Sequence, residues 1–126
     1  MSNSVTFDER DRLITITLQG RLDQGMIRTL AAEVARIAKE YDCFLVLNDA
    51  REATSGLSTV EIYELPEVIA EIISQTGLQV NKFKRALVAP TDVPDFAFFE
   101  TVSRNRGQNV VVFRSIEEAK SWLLGK

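Results

Sequence analysis

Three short apolar runs, separated by helix-like segments, constrain the fold of this chain most strongly. The runs are "CFLVLND" (43–49), "KRALVA" (84–89) and "NVVVF" (109–113). Their centres are continuously apolar, which is typical of strands buried on both faces of a parallel sheet. Because parallel neighbours need a long crossover between them, usually a helix, this pattern predicts an α/β sheet with helices packed on it.

The segment before the first of these runs has the clearest helical period in the chain. Its apolar residues recur at steps of three and four, at Ile27, Leu30, Val34, Ile37 and Tyr41. Asp23 is the predicted N-cap, because its carboxylate can accept a hydrogen bond from a free N–H of the first turn. The spacing therefore predicts an amphipathic helix directly after "GRLD" (20–23).

Three further helical patterns follow. One covers about 58–76, and Pro66 inside it is expected to break or kink the helix, or to begin a second one. Another lies within 91–107, with Pro94 in its first turn. The last covers 115–124 and opens with a serine and a glutamate at capping-box spacing.

Two strand-like pieces precede the first helix and complete the predicted order. They are "SVTF" (4–7) and the alternating "LITITLQ" (13–19), joined by a charged segment that suits a hairpin turn. The order β-β-α-β-α-β-α-β-α predicts a mostly parallel or mixed sheet of about five strands with about four helices. We expect one domain over residues 1–126.

The composition excludes several chemistries. The chain has no histidine and a single cysteine, Cys43, so histidine-based triads and the common zinc sites are ruled out. Cys43 begins an apolar strand and is expected to be a buried structural thiol. No catalytic or metal-binding constellation stands out, so we predict neither an enzyme nor a bound metal or cofactor.

The charge and hydropathy patterns bear on location and partners. A formal charge of −3 disfavours a nucleic-acid partner, which needs a basic face. The basic groups "NKFKR" (81–85) and "SRNRG" (103–107) are expected to be solvated surface or helix-end charge. The N-terminus lacks the layout of a signal peptide, and no apolar run reaches membrane-spanning length, so a cytoplasmic location is predicted.

Short motifs give the sequence a family resemblance over essentially its whole length. "GRLD" (20–23) resembles the Gly-x-Leu-Asp that opens the first helix of STAS domains, the anti-sigma-factor antagonist class. "LVLNDAREATSGL" (45–57) resembles their strand, loop and Asp-Ser-Ser-Gly-Leu helix start. "FFETVSRNRGQNVVVFRSIEEAKSWL" (98–123) is similar to the closing strand and helix of the bacterial SpoIIAA-like branch, also described as STAS/Sec14-like.

This resemblance implies a SpoIIAA-like fold and a non-enzymatic protein-interaction module, with a regulatory role as one hypothesis. Its partner would be another protein or a second copy of the chain. The serine that a kinase phosphorylates in antagonist-type domains is matched by Ser55. Ala53 stands where the family has aspartate, so the full phosphorylation motif is absent.

The hydroxyl groups near Ser55 have two open interpretations. Ser55 is either a phosphosite or a residue whose hydroxyl bonds to nearby backbone N–H groups. Ser58 forms a capping box with Glu61 by spacing and is the better helix cap. The predicted interaction surface around Ser55 consists of Asp49, Thr54, Gly56 and Leu57.

An alternative function rests on the third helical pattern. Phe96, Phe98 and Phe99 cannot all lie on one narrow stripe, so Phe98 is expected to turn away from the main core. Either the three rings form a broad buried face against a neighbouring helix, or Phe98 offers an apolar patch for a partner chain or a lipid-like ligand, beside Arg104 and Arg106. By resemblance to Sec14-like proteins, this predicts a site for a small or lipid-like ligand with an anionic head group. Capping of the helix C-terminus is the other interpretation of the two arginines.

Overall fold

The computed structural model describes residues 3–90 and 93–126, and within them it places five strands and four α-helices. The strands are β1 (Ser4–Asp8), β2 (Leu13–Leu22), β3 (Leu45–Ser55), β4 (Lys84–Val88) and β5 (Asn109–Phe113). The helices are α1 (Gln24–Tyr41), α2 (Thr59–Ser74), α3 (Pro94–Asn105) and α4 (Ile116–Leu124), and a short 3-10 helix covers Val80–Lys82. The predicted element order is confirmed.

The strands form one sheet in the order β1-β2-β3-β4-β5. β1 pairs with β2 in antiparallel fashion, and the other three pairs are parallel. This is the mixed, mostly parallel α/β sheet that the sequence predicts, because each parallel neighbour is reached through a crossover helix. The N-terminal hairpin supplies the single antiparallel pair.

The helices cover both faces of the sheet unequally. α1, α2 and α3 pack on one face over the larger apolar core, whereas α4 packs on the other face over a smaller one. Successive residues of β4 alternate between these cores: Leu87 belongs to the larger, and Ala86 and Val88 to the smaller. This alternation is the pleat of a strand buried on both sides, which explains why its sequence is continuously apolar.

The predicted helix caps are present. The Asp23 carboxylate accepts a hydrogen bond from the Met26 N–H at 2.8 Å. Ser58 and Glu61 exchange both bonds of a capping box. At α4 the predicted capping box is half formed: the Ser115 hydroxyl accepts the Glu118 N–H, but the Glu118 carboxylate accepts from that hydroxyl and not from the Ser115 N–H. These contacts lie within four residues of chain, which is why the sequence alone predicts them.

The prediction that α2 ends or restarts at Pro66 is wrong, since the helix runs unbroken from Thr59 to Ser74. Pro66 has no N–H to donate within the helix. Its ring is buried in the core, and its carbonyl accepts a hydrogen bond from Gln108 at 2.8 Å. One turn earlier, the Tyr63 carbonyl accepts from Arg106 at 3.2 Å. The missing N–H would have bonded to the Ile62 carbonyl, so neither of these bonds replaces it. Burial of the proline ring in the core offsets the local cost.

The strands β2 and β3 are longer than their apolar runs predict. β3 was expected to end at residue 49 but continues to Ser55, and β2 continues through "GRL" to Leu22. The two extensions pair with each other in parallel, with Leu22 opposite Ser55. Neither extension has an apolar strand pattern of its own, so each depends on its partner for its conformation.

Candidate functional site

The two family-like motifs meet at one point of the fold. The pairing of β2 with β3 sets "GRL" (20–22) beside "ATS" (53–55). Directly after it, the Gly56 N–H donates to the Leu22 carbonyl at 2.9 Å. A Cβ on Gly56 would lie 2.5 Å from that oxygen, which is closer than a carbon and an oxygen atom normally approach. Any other residue would therefore clash with the Leu22 carbonyl at this position. The motifs are therefore two sides of a single junction.

The structure gives the two serines of this junction different roles. Ser58 is the N-cap of α2. Ser55 is the last residue of β3, not a loop residue, and its half-buried hydroxyl accepts a hydrogen bond from the Leu57 N–H at 3.3 Å. Ala53, at the position of the family's aspartate, is buried in the larger core. Thr54 is exposed, and Gly56 and Leu57 are half-buried.

Two apolar side chains beside this junction are exposed. Val60 is 65% exposed and Tyr63 is 56% exposed, and they lie one turn apart near the start of α2. Among the described residues, they are the large hydrophobic side chains that remain most exposed. The sequence analysis missed them. The sequence could have indicated them, because Val60 and Tyr63 lie outside the apolar stripe by which α2 faces the core.

Asp49 does not join this surface. The β2–β3 register shifts between the pairs Thr17–Asp49 and Gln19–Glu52, which marks a β-bulge in β3. Before the bulge, Asp49 lies in a shallow depression on the α4 side of the sheet, with Lys120. There it forms a two-point ion pair with Arg51, with both oxygen–nitrogen distances 2.9 Å. Hydrogen bonding to Arg51 lowers the pKa of the Asp49 carboxyl below its ordinary value.

An apolar cavity of about 130 Å³ lies between the sheet and helices α1, α2 and α3. Phe96 and Phe99 are among the side chains that line it, whereas Phe98 is not. Phe98 is half-buried and lies outside both apolar cores, as predicted. The cavity reaches the junction, because Ser55 and Leu57 also line it.

A buried arginine lines the same cavity. Arg85, on β4, is only 7% exposed, which makes the expectation of a solvated cluster at 81–85 wrong at this position. Its guanidinium donates to the Gln108 side-chain oxygen at 2.8 Å, and Gln108 in turn bonds to the Pro66 carbonyl. The reason for its burial is the strand pleat, which turns Arg85 towards the larger core and Lys84 towards α4. Burial lowers the pKa of Arg85 to about 10.

Arg104 and Arg106 are engaged away from this cavity. Arg104 donates to the Val110 carbonyl on β5 at 3.3 Å. Arg106 pairs with Glu67 at 3.0 Å and its guanidinium lies 4.9 Å from the centre of the Tyr63 ring. The structure therefore does not bring these two arginines and Phe98 together with the cavity. Their guanidinium groups bind to neighbouring elements, and their positions agree with the C-terminal interpretation, since Arg104 lies in the last turn of α3 and Arg106 is its C-cap residue.

The antiparallel hairpin, the parallel crossovers and the placement of the helices define a SpoIIAA-like fold of the STAS type. The structure of the anti-sigma factor antagonist SpoIIAA in its unphosphorylated form is similar over 99% of this chain and 98% of that one, with a TM-score of 0.62 and 13% identity. An uncharacterized DUF3478-family protein with a SpoIIAA-like fold, from Shewanella loihica PV-4, is similar over 97% of this chain and 92% of that one. Its TM-score is 0.58 and its identity 17%.

At these identities the similarity shows the fold alone. No family model matches the sequence, and a search of curated proteins finds no match either. Within residues 3–90 and 93–126, no helix is long and apolar enough to cross a membrane.

Proposed function

We propose that this chain is a non-enzymatic, cytoplasmic protein-interaction domain similar to anti-sigma-factor antagonists. The proposed binding surface, called the α2 surface here, consists of residues 54–58 together with Val60 and Tyr63. The observation that carries the proposal is the exposure of these two apolar side chains next to the junction of the family-like motifs. Exposed aromatic and aliphatic groups close together are typical of protein interfaces.

The α2 surface has the anatomy of a small interface. Tyr63 is held by the Arg106 guanidinium over its ring, so its side chain is already ordered before a partner arrives, which lowers the entropic cost of binding. Charged groups of both signs lie near the apolar pair: Glu64 follows Tyr63 in the chain and is exposed, and Glu67 is paired with Arg106. A complementary partner therefore presents an apolar pocket that receives Val60 and Tyr63.

The regulatory version of the proposal concerns Ser55. A phosphate there would add about −1.5 to −2 charges within the proposed binding surface. Its bulk would also displace the hydroxyl that now accepts the Leu57 N–H. Both effects would oppose a partner docked on the α2 surface. Intact-mass measurement of the protein from its native cells tests this version, and a Ser55→Asp variant that binds the partner as well as wild type would contradict it.

Capture of partners from native cells, followed by affinity measurement with the purified partner, tests the main proposal. We compare wild type with Tyr63→Ser and Val60→Ser, and use Thr29→Ala on the exposed side of α1 as the control variant. Loss of a central interface aromatic costs about 2 kcal/mol or more, so Tyr63→Ser should weaken binding roughly thirtyfold while the control binds normally. Equal binding by all four proteins would refute the α2 surface. A thermal unfolding scan confirms that each variant is folded.

A second copy of the chain is the alternative partner. It would meet the same surface in a symmetric contact, since two-fold dimers use one patch on both subunits. Sedimentation measures the oligomeric state of wild type and of Tyr63→Ser. If wild type dimerises through the α2 surface, the variant should sediment as a monomer.

A further inference from the structure

The cavity beneath α1, α2 and α3 has room for a small organic molecule. Its volume of about 130 Å³ is roughly ten times what one water molecule requires. Most of its lining consists of aliphatic and aromatic side chains, with four polar residues among them: Asn48, Ser55, Arg85 and Asp95. Apolar cavities of this kind bind small organic molecules.

Arg85 gives the cavity a positive charge that lacks a carboxylate. Its guanidinium has five N–H donors, and among the described residues its one side-chain acceptor is Gln108, which is neutral. No ion pair within 4.0 Å involves Arg85 in residues 3–90 and 93–126. An isolated buried charge is costly unless it is paired, so the fold retains a cation that an anion in the cavity would stabilise.

We propose that the cavity binds an amphipathic monocarboxylate, an aliphatic chain or ring with one carboxylate, and that Arg85 anchors the carboxylate. A guanidinium can bind a carboxylate through two parallel hydrogen bonds. Gln108 holds Arg85 from one side, which leaves other N–H groups for the ligand. The aliphatic part of the ligand would lie against Leu87 and Phe96 in the same lining.

The electrostatics of the lining favour one negative charge on the ligand. Arg85 is the single cationic residue among the lining residues, and Asp95 in the same lining repels a second anionic group. The Asn48 amide, also in the lining, already donates to the Ala86 carbonyl at 3.0 Å. A doubly charged phosphate monoester would therefore lack a second cation, whereas a carboxylate matches the charge of Arg85.

Calorimetric titration of the full chain with two matched ligand series tests the proposal. The probes are the fatty acids from hexanoate to dodecanoate and the primary alcohols of the same chain lengths. Because a hydrogen bond to a charged group is worth more than a neutral one, the best acid should bind about tenfold or more tightly than its alcohol. The acid should raise the unfolding temperature accordingly.

Two variants locate the site. Arg85→Met removes a costly buried charge but also leaves the buried Gln108 side-chain oxygen without its donor, so a thermal unfolding scan checks that the variant is folded. It should lose the preference for acid over alcohol. Val34→Phe, which fills the cavity from α1, should weaken both ligands while Arg85 remains.

Three results would overturn the proposal: no acid binds wild type, acid and alcohol bind equally, or Val34→Phe binds the acid as wild type does. The first two comparisons use wild type alone, so they decide the matter even if a variant is unstable. The cavity meets the α2 surface at Ser55 and Leu57, but Tyr63 does not line the cavity and Arg85 does not belong to the α2 surface. Tyr63→Ser should keep acid binding, and Arg85→Met should keep partner binding, so failure of either proposal is distinguishable from failure of the other.

Discussion

Gly56→Ala should destabilise the domain because the added methyl group has no room at the junction of the two motifs. The ideal Cβ would lie 2.5 Å from the Leu22 carbonyl oxygen and 2.7 Å from two atoms of the Arg21 side chain. The arginine can move aside, since it is a flexible exposed side chain. The carbonyl cannot move freely, because it belongs to a strand and accepts the Gly56 N–H at 2.9 Å.

The size of the loss in unfolding free energy follows from the contacts that must move to make room for the methyl group. Opening the contact displaces the backbone enough to weaken that hydrogen bond, which is worth about 1 kcal/mol. Residual strain from overpacking adds about 1–3 kcal/mol, and the reduced freedom of alanine in the unfolded chain returns about 0.4–1 kcal/mol. The net expectation is a loss of about 2 kcal/mol, or a fall in Tm of about 8 °C for a domain of this length.

Urea unfolding followed by circular dichroism measures this loss, and Gly25→Ala is the matched control. Gly25 lies in the first turn of α1, where an added Cβ would make only an ordinary 3.5 Å contact with Asp23. The control should gain up to about 1 kcal/mol in unfolding free energy. A loss below about 0.5 kcal/mol for Gly56→Ala would refute the steric reasoning, since no net penalty would then remain.

Three further predictions concern stability and are checked by the same unfolding assay. Ser58→Ala removes the capping box of α2 and should cost about 1 kcal/mol; an unchanged midpoint would contradict this. Ser103→Ala removes a buried hydroxyl that has no hydrogen-bond partner among the described residues, so the free energy of unfolding should stay the same or rise. A loss above about 1 kcal/mol would contradict this prediction. Arg51→Gln should lower the free energy of unfolding at about pH 7 but have little effect at about pH 2. The ion pair lowers the pKa of Asp49 in the folded state, so its stabilising contribution is present at neutral pH and is lost as the pH falls through that pKa. An equal loss of unfolding free energy at both pH values would show that the pair is not the cause.

The sequence predicts those parts of the fold that depend on local interactions. Asp23 and Ser58 are correct caps because their partners lie three residues away. The strand order follows from alternating patterns and short connections. Pro66 was misjudged because its ring is buried in the core and its carbonyl binds Gln108, forty-two residues away in the chain. No local pattern contains either contact.

The candidate site depends on contacts that a single sequence does not display. The two motifs at 20–23 and 53–57 meet only because β2 and β3 extend beyond their apolar runs and pair in register. A bulge then places Asp49 on the opposite side of the sheet from Ser55. Likewise, the sequence shows Arg85 among other basic residues, and only the direction of the strand pleat decides that it enters the core.

The contacts of α3 with β5 have a consequence for association between molecules. β5 is an edge strand, and such strands carry free backbone groups that can template pairing with another chain. Here the Glu100 carboxylate accepts the Val112 N–H at 2.7 Å, and Arg104 donates to the Val110 carbonyl. Two side chains one helical turn apart thus occupy the positions that a sixth strand would use. Charged side chains of α3 therefore protect the β5 edge against pairing with a strand of another molecule, and so against aggregation.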